Sequence, residues 1–227
     1  MTVACVIQAR MGSTRLPGKV LADLGGRPVL ALLLDRVAGV QVDHLVVATS
    51  EAEADDAVED LARGNGVAVV RGPEDDVLAR FIRALDAYPA DHVVRLTADC
   101  PLTDPAVVAT AIEIHLYGKH DYTSNTLVRT FPDGLDVEVM TATALREAGD
   151  EAVEPYEREH VTPFIYRRME RYRVATFESG ENLGAERWTL DTTADLERLR
   201  TIVAKLDDPV TAGWRDVLAV AGRQASP

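Results

Sequence analysis

Three cations, two glycines and two hydroxyls fall within Gln8-Ala9-Arg10-Met11-Gly12-Ser13-Thr14-Arg15-Leu16-Pro17-Gly18-Lys19. Glycine lets the backbone approach an anion, amides in the turn point inward, and Arg or Lys neutralises the oxygens, so the composition is that of a phosphate cradle. It is not a Walker A loop, because five residues separate Gly12 from Gly18 and Val20 stands where a magnesium-holding hydroxyl would. Nor is it a dinucleotide fingerprint. Two carboxylates further along the chain suit a divalent ion: Asp99 in Thr97-Ala98-Asp99-Cys100-Pro101 and Asp191 in Trp188-Thr189-Leu190-Asp191. Magnesium prefers one or two carboxylates together with phosphate oxygens and water, so the pair would suffice. Asp191 taken alone reads equally well as a helix start.

Other segments are chemically less dense. Arg71-Gly72-Pro73-Glu74-Asp75-Asp76 either closes over a base or ribose or simply caps a helix through Asp75 or Asp76. The stretch ending in Asn125, the alternating Asp136 and Glu138, and the pair Glu159-His160 can line a polar pocket for a hydroxyl-rich substrate. His160 reads equally as an ordinary helix histidine. Cys100 has no activating base beside it in sequence and reads as a small buried residue.

These groups need a scaffold that brings distant segments together. β-Branched runs over 3–7, 45–48, 67–70 and 92–96 alternate with helix-like segments over 29–37, 52–62, 77–85 and 107–116. That is a βα repeat, which predicts an α/β fold with a Rossmann-like, doubly wound, mostly parallel sheet. Ligands of such sheets sit beyond the carboxyl ends of the strands, so the residues starting at Gln8, Thr49, Arg71, Thr97, Asn125 and Asp191 are the ones to interrogate. After Tyr117 the rhythm changes. Strands over 121–125 and 136–140 around the turn Thr130-Phe131-Pro132-Asp133-Gly134 predict a small antiparallel insertion at about 120–140. Helices follow over 157–169, 194–206 (with Thr193 as its N-cap) and 212–222, with late strands over 172–177 and 188–190 and a frayed tail over 224–227. No linker or repeat interrupts the chain, so 1–227 reads as one domain.

Composition narrows the partners. A formal charge of −13 on 227 residues argues against nucleic acid. Two cysteines are too few for a disulfide scaffold and point to the reducing cytoplasm. The amino-terminal segment lacks the basic region and cleavage site of a signal peptide, and no apolar run reaches the ~18 residues of a membrane helix.

The opening loop, extended to Ile7 and Leu21, resembles that of the spore coat polysaccharide biosynthesis (SpsF-like) cytidylyltransferases. Arg71-Gly72 with Asp75 to Leu78, Arg95 to Leu102, Phe131 to Glu138, Arg158 to Pro163 and Arg187 to Asp191 resemble that family in the same order. The loop is also similar to the wider CMP-sugar synthetases that activate Kdo and sialic-type acids. The resemblance implies a nucleotide-diphospho-sugar transferase-like fold, CTP as cosubstrate, Mg2+ as cofactor, a sugar-like acceptor such as an ulosonic acid, and a role in polysaccharide, glycoconjugate or specialised-metabolite biosynthesis. It places the nucleotide against Gln8, Ala9, Arg10, Gly12, Ser13, Arg15, Lys19, Arg71, Asp76 and Asp99, and the acceptor against Asn125, Asp136, Glu138, Glu159 and His160. Arg10, Lys19 and Asp99 would act in catalysis, and Asp99 with Asp191 would hold the metal. A homodimer is also implied, with the 120–140 insertion the expected contact. A metal-dependent glycosyltransferase using a nucleotide sugar, and a catalytically silent nucleotide-binding module, are the alternatives such a site permits.

Overall fold

The βα alternation resolves into β1 (Val3–Gln8), α1 (Val29–Val37), β2 (His44–Ser50), α2 (Asp56–Gly64), β3 (Ala68–Gly72), α3 (Val77–Ala87), β4 (His92–Thr97) and α4 (Pro105–Gly118). The second half continues with β5 (Tyr122–Ser124), β6 (Glu138–Thr141), α5 (Ala142–Glu151), α6 (Pro155–His160), α7 (Pro163–Tyr166), β7 (Val174–Thr176), α8 (Thr193–Val203) and α9 (Trp214–Ala221). The structure, a computed structural model, describes residues 1–222, so the tail expected over 224–227 lies outside the described residues.

Among the described residues, seven strands form one sheet in the order β3-β2-β1-β4-β6-β5-β7. Only β6 runs against its neighbours, β4 on one side and β5 on the other. Strand alternation divides the side chains between two faces: Cys5 and Ile7 of β1 join α1, α2, α4, α8 and α9 on one, while Val6 joins α3, α5 and α7 on the other. The expected doubly wound α/β sheet is present. Strand order reverses between β1 and β4, whose carboxyl ends pair Gln8 with Thr97. A crevice opens where connections leave neighbouring strands in opposite directions, and it opens here.

Several expectations need correction. The segment expected as an antiparallel insertion supplies two interior strands of the main sheet, because β6 finds its partner in β4 as well as in β5. The single helix expected over 157–169 is two, α6 and α7. Pro163 has no N–H with which to continue the hydrogen-bond ladder of α6, and Val161 adopts φ +69°, ψ −56° in a γ-turn closed by Thr162 N–H donating to His160 C=O at 2.8 Å. No strand forms over 188–190. That stretch instead donates Trp188 N–H to Asp133 C=O at 2.6 Å and Leu190 N–H to Asp99 C=O at 2.8 Å. Gly134 permits this approach: at φ +117°, a Cβ there would lie 2.7 Å from the Trp188 carbonyl carbon. The α8 cap is Thr192, not Thr193, in a capping box with Asp195. Helix α5, capped by the Thr141 hydroxyl, was not expected from the sequence. No helix among the described residues is long and apolar enough to cross a membrane.

One buried cation ties the crevice to the carboxyl-terminal part of the chain. Arg36 of α1 is 3% exposed. Its guanidinium donates to the carbonyls of Thr103 (2.9 Å), Leu102 (3.3 Å), Ala212 (2.9 Å), Val210 (3.4 Å) and Pro209. Removing the cation leaves those carbonyls unpaired in the interior. Arg36→Met is expected to lower stability by ~3 kcal/mol, read in urea unfolding as a lower midpoint at unchanged slope.

Candidate active site

The loop after β1 is held open by its own backbone. Ser13 and Gly18 N–H groups both donate to Met11 C=O at 2.9 Å, and Ser13 Oγ accepts from Leu16 N–H at 3.3 Å. Gly18 takes φ +73°, a left-handed value that starts the short turn Lys19–Leu21 and turns Lys19 under the loop. Asp55, 1% exposed, clamps the loop from the turn between β2 and α2. Its carboxylate accepts from Met11 N–H at 2.6 Å, from Ser50 N–H at 3.1 Å and from the Ser50 hydroxyl.

Lys19 is the centre of the site. Its ammonium donates to Asp99 Oδ2 at 2.9 Å, Asp191 Oδ1 at 2.9 Å and Leu190 C=O at 2.7 Å. Burial alone would depress the ammonium pKa, but Asp99 and Asp191 outweigh it and hold the value above that of a free lysine. Asp191 is the mirror case. Burial would raise its carboxyl, yet Lys19, Arg187 and Arg15 keep it below the usual carboxylate range. Arg15 reaches Asp191 Oδ1 at 2.9 Å and Arg187 reaches Oδ2 at 2.6 Å. The α8 capping box fixes the backbone here, because Asp195 accepts from the Asp191 N–H at 3.0 Å. Asp191 therefore precedes the cap rather than forming it.

A cavity of about 540 Å³ runs from this cluster across the β1–β4 crevice. Gln8, Ala9, Arg10, Gly12, Ser13, Arg15, Lys19, Asp99 and Asp191 line it together with Asp136, Glu138, Glu159 and His160. Three residues expected at the site lie elsewhere. The Arg71 guanidinium holds Ser50 C=O (2.8 Å), Ala52 C=O (2.7 Å), Glu59 (3.0 Å) and Asp56, tying β3 to the start of α2. Asp76 caps α3 through Ala79 N–H at 2.9 Å and accepts from Arg158 Nε at 2.6 Å. Asn125, 2% exposed, bridges the β5–β6 connection by donating to Leu135 C=O at 2.7 Å and accepting from Val137 N–H at 2.9 Å. Each is engaged by backbone groups or by a charged side chain outside the cavity.

Arg95 and Arg80 also line the cavity but were not picked out as site residues from the sequence. Arg95 lies mid-strand in β4. It donates to Gln8 Oε1 at 3.0 Å and to Glu138, and its burial is offset by that carboxylate. The one signal was a cation within the apolar run His92-Val93-Val94-Arg95-Leu96. Arg80, 1% exposed, donates to the Pro73 and Glu74 carbonyls, both at 2.7 Å, and so fixes the segment after β3. Gly72 makes room for it, since a Cβ there would meet Arg80 Cγ at 2.9 Å. Glu74 in turn lies over the loop: its Oε1 would be 2.7 Å from a Cβ at Gly12 and is 3.7 Å from Arg10 Nη1. Burial pushes the Cys100 thiol well above its ordinary value, in keeping with an inert residue.

The donor set fits a hard divalent ion. Asp99 and Asp191 each bring an oxygen to the same 2.9 Å from one ammonium, and both line the cavity. Among the described residues no third histidine, cysteine or carboxylate joins them, which leaves coordination positions for phosphate and water, as magnesium prefers.

The chain resembles characterised proteins over almost its full length. A family model described as cytidylyltransferase matches residues 4–207. The spore coat polysaccharide biosynthesis protein SpsF of Bacillus subtilis is 35% identical over 226 residues, covering 96% of this chain and 93% of that protein. A cytidylyltransferase structure from Leptospira borgpetersenii superposes with a TM-score of 0.93 at 34% identity, covering 97% of this chain and 93% of that one. A CMP:2-keto-3-deoxy-manno-octonic acid synthetase complexed with CTP shares the fold, with a TM-score of 0.69 at 20% identity over 90% of this chain and 99% of that one. With its phosphate-type loop, paired aspartates and matching frame, the chain belongs to the cytidylyltransferase family and is a CTP-dependent nucleotidyltransferase.

Proposed function

We propose that the enzyme transfers CMP from CTP to a sugar-like acceptor, an ulosonic acid or a related compound, and releases pyrophosphate. The biosynthesis of a polysaccharide, glycoconjugate or specialised metabolite is the setting this reading supports. The observation behind it is that one cavity is lined by the loop cations, the aspartate pair, Asp136, Glu138, Glu159 and His160 together.

In this mechanism an acceptor oxygen attacks the α-phosphorus in line and pyrophosphate departs opposite. Arg10, Gly12, Ser13, Arg15 and Lys19 bind the triphosphate, and Lys19 and Arg15 neutralise charge that grows on the leaving oxygens. Asp99 and Asp191 would hold Mg2+, which when bound supplies charge stabilisation at the phosphates. Glu138 is poorly suited to move a proton, because its carboxylate already accepts from Tyr122 OH at 2.5 Å, Thr162 Oγ1 at 2.6 Å and Arg95. It fixes the floor of the acceptor region instead. Asp136 is likewise engaged by both terminal nitrogens of Arg129, at 2.8 and 2.9 Å. His160, exposed at the end of α6 beside the strained Val161, is the group we assign as general base for a hydroxyl acceptor. We also propose a homodimer in the cytoplasm. The part of the 120–140 segment open to a partner includes the exposed Val128, since β5 is interior to the sheet.

Lys19→Ala and Asp99→Asn are each expected to lower turnover at least ~10³-fold while leaving the far-ultraviolet circular dichroism unchanged. Pyrophosphate release with CTP against a panel of ulosonic acids, sugar phosphates and phosphonates measures this, and turnover retained by either variant would remove the mechanism. His160→Gln is expected to cost ~10²-fold in kcat with the KM for CTP changed by less than about three-fold. An unaltered kcat would assign the proton to another group or to a phosphate-bearing acceptor.

A further inference from the structure

The cation between Asp99 and Asp191 is a side chain of the protein. Lys19 Nζ lies 2.9 Å from an oxygen of each and is sheltered, with 11% of the side chain exposed. Asp191 has no free oxygen: Oδ1 receives both Lys19 and Arg15, and Oδ2 receives Arg187 at 2.6 Å. Asp99 keeps Oδ1, which meets only the Cys100 thiol at 3.7 Å, but a divalent ion that bridges to Asp191 must displace a cation there and then stand beside the Lys19 ammonium and two guanidinium groups. Like charges at such distances repel by several kcal/mol unless screened. A triphosphate changes the balance. Lys19 and Arg15 line the same cavity as Arg10, Gly12 and Ser13, so phosphate oxygens bound there offer both cations a new anionic partner.

We propose that Lys19 is an internal counter-ion that holds the two-aspartate site closed to divalent metal until a polyphosphate draws its ammonium away. Metal and nucleotide then bind as a coupled pair, and Lys19 sets the coupling. This rests on reading Asp99 and Asp191 as the ion's ligands. Binding linkage is reciprocal, so whatever Lys19 costs the metal in the free enzyme reappears as a gain in metal affinity when nucleotide is bound. The flexible four-carbon stem of lysine suits such a transfer, and the fixed Asp195 capping contact leaves the Asp191 backbone in place during it.

The test uses Mn2+ as probe on the full-length, nucleotide-free enzyme, with free ion counted by electron paramagnetic resonance. Lys19→Gln is expected to bind Mn2+ at least about ten-fold more tightly than wild type, and Lys19→Gln/Asp99→Asn to lose that gain. Equal affinity in wild type and Lys19→Gln overturns the proposal while leaving the two aspartates as ligands. A double variant that binds as tightly as the single one shows that the ion sits elsewhere, and the two-aspartate reading then falls together with the proposal. Should Lys19→Gln fail to fold, Lys19→Met, which keeps the length of the stem without its charge, provides the same comparison: it is expected to tighten Mn2+ at least about ten-fold, and no change there overturns the proposal.

Discussion

A single ammonium group, that of Lys19, joins two carboxylates that lie 80 and 172 positions further along the chain. Each carboxylate comes from a different connection: Asp99 follows β4, while Asp191 leads into α8. The bridge exists only if β1 and β4 are neighbours and the 187–191 stretch passes over their ends. Both conditions are met by backbone bonds that do not involve the site's side chains: the parallel β1–β4 register and the Leu190 N–H donating to Asp99 C=O. Once assembled, the cluster is strongly interdependent. A partly buried lysine between two carboxylates is stable because all three charges are compensated, and removing one member leaves the others uncompensated in a sheltered place. The topology of the sheet and the chemistry of the site are in this sense one constraint.

Much of this was legible in the sequence. Glycine and cation density marked the loop, because few structural needs bring that composition to the end of a first strand. Asp99 and Asp191 were marked by lying at predicted strand ends, although the second of those strands is an irregular stretch. The errors share a cause. Arg71, Asp76 and Asn125 stand where site residues stand, but each satisfies a nearby backbone or carboxylate group, and sequence position does not reveal which competitor a polar side chain meets first. Asp55 and Arg80 were missed for the opposite reason. They act through the loops that they hold, and their pattern is that of ordinary helix-forming segments. The break between α6 and α7 was written in Pro163, but the apolar spacing around it favoured continuity.

The polar groups that line the cavity are bonded to one another as well as facing it. Glu138 is closed in by Tyr122, Thr162 and Arg95, and Asp136 by Arg129. Fully bonded networks of this kind are rigid and discriminate by shape and hydrogen-bond geometry rather than by net charge. Burial and Glu138 together push the Tyr122 hydroxyl far above its ordinary pKa, so the network keeps its donors over the working pH range.

The closeness of the Glu74 carboxylate to Gly12 bears on the loop's own electrostatics. Its Oε1 lies 3.7 Å from Arg10 Nη1, so the cation-rich turn already has an anion of the protein beside it. Because both side chains are partly exposed, salt screens this pairing far more than it screens the sheltered Lys19 cluster, and the two ends of the loop differ in how firmly their charges are compensated.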